Sequence, residues 1–269
     1  MHVHLNNQYD KLIYYLMVYP CKYEIIDPGN PYKNTIDYPL MYSQYNNFVN
    51  LLIENDVKIQ FLDSVNSPSQ VFTRDIGFAI KDMLFISKLK SPERINEPEA
   101  LRRFAKKHTF KTYEMKNNIE GGDIVLHDEV VFVGLSRRST LEACKELQMV
   151  LDNYNIDVKV VPINFDNHKL HLDCVFNSID RDTCIITDYV YDKHLIEKYF
   201  KKLLKLEGDA ADKLGSNFVC LGDEKILTSN KQVKELLCAN GFNTIYSDYS
   251  EIIKAGGSFT CSTLPILRI

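Results

Sequence analysis

The feature that most constrains this chain is a recurrence. Paired apolar runs separated by turn residues return at 70–80 with 83–89, 123–127 with 130–135, 172–179 with 182–188 and 217–221 with 225–228. Each pair reads as a β-hairpin. With the final apolar stretch added, the units begin near Phe72, Glu120, His171, Asn217 and Phe259, a spacing of about fifty residues. Helical periodicity predicts helices over 39–55, 97–108, 138–154, 192–205, 230–240 and 247–255, so that a helix usually follows each hairpin in an α/β chain. Five modules that each carry a small sheet can bury their edges by closing radially, and the first residues of every module then converge on a central channel.

Composition sets the scale. With 269 residues, 45% of them hydrophobic and 25% charged, the chain can build a substantial core, and no Pro-, Gly- or Ser-rich linker divides it; one domain over 1–269 is expected. A net charge of −4 argues against a nucleic-acid partner, which calls for a concentrated basic surface. The basic stretch Lys193 to Lys205 reads as the solvated face of a helix. The seven cysteines form no CxxC pair and are odd in number, which fits reduced thiols in a cytoplasm. The apolar run from Leu12 to Pro20 lacks a cationic leader and reads as a strand. No apolar stretch approaches the roughly 20 residues of a membrane helix, so no membrane partner is expected.

Four of the five modules open on reactive side chains: Asp75 in VFTRDIGF, Glu120 and Asp123 in IEGGDIV, His171 and Asp173 in HLDCVF, and Cys261 in GGSFTCSTLP. Each has an ordinary explanation. Asp75 can cap a turn or pair with an arginine, the Gly-Gly-Asp can be a bend, and a free cysteine is commonly a small buried hydrophobe. His171 and Asp173 flank Leu172 on a predicted strand and would share a face as a satisfied pair. Together, however, a thiol, an imidazole and several acids at equivalent module positions describe one anionic pocket. A guanidinium fits such a pocket: two carboxylates can hold its N–H edges while its carbon stays open on one face. Held by Asp75 and Asp173 it stays charged and electrophilic, and with a protonated His171 it favours the Cys261 thiolate.

The stretches FTRD (72–75), IEGGD (119–123), GLSRRST (134–140), HLDCVF (171–176) and GGSFTCSTLPILR (256–268) resemble, in order and spacing, the guanidino-group-modifying enzymes, which include arginine deiminase, dimethylarginine dimethylaminohydrolase and the amidinotransferases. The resemblance spans nearly the whole chain. It implies a five-bladed β/α propeller with a pseudo-fivefold repeat, in agreement with the module count. It further implies Cys261 as nucleophile, His171 as general acid and base, Glu120 as the acid beside His171, Asp75 and Asp173 as guanidinium clamps, and Arg138 on the substrate α-carboxylate. Arg94 assists there in this alignment, with Arg102 or Arg103 as the other candidates. The implied partner is a small guanidino compound, arginine or a methylarginine, processed without metal or organic cofactor; a homo-oligomer is compatible with the chain.

Features that separate the relatives point in different directions. The acid two residues after His171 is similar to arginine deiminases and amidinotransferases, which favours an unsubstituted guanidinium. The short chain, without the helical insertion of bacterial arginine deiminases, is closer in size to the dimethylarginine group. Asp75 stands where arginine dihydrolases typically carry Asn, and YEIIDPGNPYKN departs from the usual substrate-covering loop. Three outcomes follow: a C–N hydrolase giving citrulline, an amidinotransferase passing the same thiouronium to an amine, or a non-catalytic guanidine-binding propeller.

Overall fold

The computed structural model describes residues 2–269. Its strands form five three-stranded sheets. Strand β1 (Leu12–Met17) lies between β2 (Lys58–Phe61) and β15 (Leu264–Arg268); the others combine β3 (Gly77–Ile80), β4 (Met83–Ile86) and β5 (Thr112–Glu114); β6 (Ile124–His127), β7 (Val130–Leu135) and β8 (Lys159–Asn164); β9 (Phe176–Ser178), β10 (Thr183–Thr187) and β11 (Lys202–Leu206); and β12 (Val219–Gly222), β13 (Lys225–Thr228) and β14 (Asn243–Tyr246).

One plan repeats in all five. An antiparallel pair is followed by a third strand running parallel to the second. Parallel neighbours need a crossover, and a helix supplies it: α1 (Tyr38–Glu54), α2 (Pro98–Lys107), α3 (Leu141–Asn153), α4 (Lys193–Glu197) and, after the short α5 (Gly208–Asp212), α6 (Lys231–Ala239). The fifth module is split between the chain ends, because β15 pairs antiparallel with β1, Leu12 against Arg268 and Leu16 against Leu264. The hairpins expected from the apolar runs are present, as is the N-terminal strand. Local signals fix the longer helices. The side chains of Asp37, Thr140 and Asn230 accept from backbone N–H groups in the first turns of α1, α3 and α6.

The helix expected over 192–205 is corrected. It stops at Glu197, and Lys202–Leu206 is a strand parallel to β10. Leu204 and Leu206 are buried at a spacing of two, with Lys205 exposed between them, so that strand alternation prevails over a run of leucines and lysines that also satisfies a helix. The helix expected over 247–255 shrinks to α7 (Ser250–Ile253). Among the described residues no helix is long and apolar enough to cross a membrane.

Candidate active site

Short 3-10 turns precede β3, β6 and β9: Thr73–Ile76, Gly121–Asp123 and Leu172–Cys174. They pack against one another and set Asp75, Asp123 and Asp173 side by side on neighbouring modules. His171 and Asp173 therefore do not lie on a strand, as the alternation around Leu172 suggests. His171 caps the turn in extended conformation and Asp173 lies within it. Close approach requires glycine here: a Cβ on Gly122 would lie 2.5 Å from His171 Nδ1 and 3.1 Å from Asp75 Oδ1, and one on Gly121 would meet the Arg74 carbonyl oxygen at 2.1 Å.

Cys261 reaches the same place from the segment before β15. Phe259 stacks on Phe48 of α1 at 4.2 Å, and Tyr249 donates to Ser262 Oγ at 3.0 Å, which fixes the turn on either side of the thiol. Arg74 N donates to the Cys261 carbonyl at 2.9 Å and ties this turn to the one carrying Asp75. Asn217 Nδ2 donates to Cys261 Sγ at 3.2 Å, while Cys261 N donates to Asn217 Oδ1 at 3.3 Å. Asn217 opens the fourth recurrence yet carries no titratable group, so its only sequence signal is its place in the period.

His171 is fully buried, with Nε2 2.9 Å from Glu120 Oε2 and Nδ1 3.7 Å from Asp75 Oδ1. Burial opposes a charge on this imidazole, but Asp75, Asp123 and Glu120 outweigh it and hold the imidazolium well above the ordinary histidine range. Burial likewise works to raise Glu120, and its bond to His171 with the charges of His171, Arg94 and Arg138 overcomes that and brings it to about 2. Ser139 Oγ receives the Glu120 N–H at 3.0 Å. Burial pushes Asp173 up to about 7 against the pull of His171 and Arg74.

The structure also distinguishes among the arginines. Arg94 is buried, with Nη1 2.7 Å from Asp75 Oδ2, Nη2 2.7 Å from Glu97 Oε2 and Nη2 3.3 Å from the Phe72 carbonyl. Arg102 and Arg103 pair with Glu99, Glu114 and Asp63 on the surface, away from the cluster. Arg138 lies at its rim, 24% exposed, with Nη1 3.4 Å from Glu120 Oε1. Most Arg94 donors are thus engaged with protein carboxylates, and the buried Glu97 that receives them carries no signal in the sequence. Asp123 is equally committed: Oδ1 accepts from Leu172 N at 3.0 Å, and Oδ2 from Ser136 and Ser139 at 2.7 and 2.6 Å.

Three buried polar atoms in this cluster have no hydrogen-bond partner: Asp75 Oδ1, Asp173 Oδ2 and His171 Nδ1. Buried polar groups are ordinarily satisfied, so three together mark a place for a ligand. Asp75, Glu120 and His171 also present donor atoms within 4.8 Å of one another. Of these, His171 Nε2 and Glu120 Oε2 are hydrogen-bonded to each other at 2.9 Å.

A five-sheet α/β fold enclosing a Cys, a His and paired acids defines a class that comparison identifies. Residues 33–268 match the family described as N,N dimethylarginine dimethylhydrolase, eukaryotic. The chain belongs to this family, within the guanidino-group-modifying or pentein superfamily. An uncharacterized Bacillus subtilis protein, YkgA, is 34% identical over 84% of this chain and 79% of its own length. The N(G),N(G)-dimethylarginine dimethylaminohydrolase of Mycobacterium tuberculosis is 23% identical over 94% of this chain and 85% of its own. Among solved structures, the N-terminal domain of ArgZ, an arginine dihydrolase from cyanobacteria, superposes with a TM-score of 0.85 at 22% identity, covering 96% of this chain and 98% of that one. The amidinotransferase SxtG from Microseira wollei gives 0.83 at 17% identity over 99% and 97%.

Proposed function

We propose that this protein hydrolyses a C–N bond in the guanidino group of arginine or a methylated arginine, giving citrulline and ammonia or an alkylamine. The observation that carries the reading is the set of unpartnered atoms beside Cys261. Asp75 Oδ1 and Asp173 Oδ2 are buried acceptors without a partner, and His171 Nδ1 is a buried ring nitrogen without one. A guanidinium supplies N–H groups to both carboxylates and leaves its carbon exposed to the thiol. Arg94, held by Glu97, occupies the other oxygen of Asp75 and keeps the free one turned inward.

In this mechanism the Cys261 thiolate adds to the guanidinium carbon, and Asn217 Nδ2 steadies the sulfur. His171, kept cationic by Glu120 and its neighbours, passes the Nδ1 proton to the departing amine as the adduct collapses to a thiouronium. Water takes the vacated place, His171 accepts its proton, and the second adduct releases the ureido product and the thiolate. Asp75 and Asp173 hold the charge throughout, and Arg138 at the rim binds the α-carboxylate. The same reading takes residues 1–269 as one catalytic domain, its sheets as the blades of a β/α propeller, acting in a cytoplasm that keeps its thiols reduced.

A colorimetric ureido assay with L-arginine and with asymmetric dimethylarginine, run beside Cys261→Ser, tests the proposal. Citrulline from either compound that disappears in the variant is expected, and the active compound names the specificity. No citrulline, but ornithine and a new guanidine on adding an amine acceptor, replaces hydrolase with amidinotransferase. No product under any of these conditions overturns the reading.

A further inference from the structure

Four modules contribute an acid, an imidazole or a thiol to the site, whereas the fourth in chain order opens on Ser216 and Asn217, which carry no titratable group. Both are fully buried. Backbone bonds from Gly215 N to the Ala210 carbonyl at 2.9 Å and from Asn217 N to the Leu214 carbonyl at 3.0 Å pin the chain between α5 and β12. Asn177 of β9 donates Nδ2 to the Ser216 carbonyl at 3.1 Å, and Thr260 Oγ1 donates to the Phe218 carbonyl. The segment so held reaches both the nucleophile and a guanidinium clamp. Ser216 Oγ donates to the Asp173 carbonyl at 2.9 Å, and Asn217 exchanges two bonds with Cys261, Nδ2 to Sγ at 3.2 Å and Cys261 N to Oδ1 at 3.3 Å. A backbone N–H can only donate, so the amide oxygen must face Cys261 N and the NH2 group must face the sulfur.

The proposed reaction uses one of these bonds, the donation to sulfur, and leaves the other two without a part. We propose that Asn217 is a catalytic residue that favours the anionic Cys261 sulfur and fixes its direction, and that Ser216 is a positioning residue that sets the span between this nucleophile and the Asp173 clamp. The role of Ser216 rests on the hydrolysis proposed above. An N–H donor gains strength when its acceptor becomes charged, so the amide favours thiolate over thiol. A lysine or a second imidazolium would do the same but would repel a bound guanidinium; the neutral carboxamide does not. Two bonds from one amide, to the sulfur and to the backbone of the same residue, also fix the Cα–Cβ torsion of Cys261. Ser216 acts on the clamp through its main chain and leaves the carboxylate Oδ2 unpartnered for the ligand. Adjacent Cα atoms lie about 3.8 Å apart, so the contacts to nucleophile and clamp are separated by a single peptide unit. Attack on a held guanidinium depends on such spacing, where a misplacement of about 1 Å costs a large part of the rate.

The test is the rate of iodoacetamide alkylation at Cys261 as a function of pH, followed by peptide mass spectrometry, together with ureido kinetics. In Asn217→Ala the pH midpoint of alkylation should rise by about one to two, the loss of one hydrogen bond to an anion. Asn217→Asp, which keeps the shape but sets a carboxylate oxygen against the sulfur, should raise it further and separates charge from packing. In Ser216→Ala the midpoint should stay while kcat for the ureido product falls about tenfold, and Ser216→Thr should restore it. The parental midpoint in both Asn217 variants would overturn the role of Asn217, and the parental kcat in Ser216→Ala would overturn that of Ser216. A raised midpoint in protein that forms no ureido product would support Asn217 as the partner of the thiolate and count against the proposed hydrolysis alone.

Discussion

Asp123 and its two counterparts occupy like positions in neighbouring modules, each an aspartate in a 3-10 turn ahead of a hairpin. Their surroundings differ. Asp123 spends both oxygens on Leu172 N, Ser136 and Ser139, whereas Asp75 and Asp173 each keep one oxygen buried and unpartnered. The module thus supplies an inward carboxylate wherever the turn recurs, and the neighbours decide whether it holds the protein together or stays open for a ligand. A serine pair supplied by the GLSRRST segment makes the difference at Asp123.

Altering the open pair gives the largest expected effect. Asp173→Asn removes an anion from the guanidinium slot, and loss of one partner from a buried ion pair costs about 3–5 kcal/mol. Affinity for arginine or dimethylarginine, measured by calorimetry, should fall at least about 100-fold. The variant should unfold at no lower temperature than the parent, because burial disfavours the charge it removes. His171→Ala should lower the ureido rate about 10²–10⁴-fold in steady-state assays. Asp123→Ala should do the reverse of Asp173→Asn. It strands the Leu172 N–H and two serine hydroxyls, at about 1–3 kcal/mol per group left unsatisfied, and should lower the thermal midpoint by several degrees. If Asp123→Ala spares stability and Asp173→Asn does not, the contrast between the two carboxylates is wrong.

A pH series sharpens the same contrast. Asp173 is raised from 3.8 to about 7, so between those values the folded protein holds a proton that the unfolded chain has released. Stability should therefore decline as pH rises through that window, and Asp173→Asn should remove its share of the slope in urea titrations. A bound guanidinium favours the ionised carboxylate, so affinity should weaken by up to about tenfold per unit as pH falls below about 7. The smallest effect is expected from Arg102→Ala. Its pairs with Glu99 and Glu114 are solvent-exposed, so stability should change by less than about 1 kcal/mol and kinetics not at all.

The turns that carry the site were legible in the sequence because chemistry and period coincide in them: FTRD, EGGD, HLD and the segment around Cys261 recur at module spacing. The hairpins were legible for a related reason, since β3, β4, β6 and β7 are buried almost throughout and read as continuous apolar runs. The third strand of each sheet left little trace. Lys58–Phe61 and Thr112–Glu114 are short and largely solvated, and such edge strands are marked by charge rather than by alternation. The same ambiguity turned Lys202–Leu206 into an expected helix. Within the site, Asn217 and Glu97 escaped notice because they act through partners. An asparagine on a thiol and a glutamate behind an arginine are visible only once the turns converge.

The central claim is that Cys261 attacks a guanidinium carbon. Protein incubated with arginine, quenched in acid during turnover and digested, tests it by peptide mass spectrometry. The Cys261 peptide should carry the mass of arginine less ammonia, and dimethylarginine should leave the same adduct by loss of dimethylamine. An adduct on any other residue, or citrulline formed by protein in which Cys261 is serine, would contradict the account.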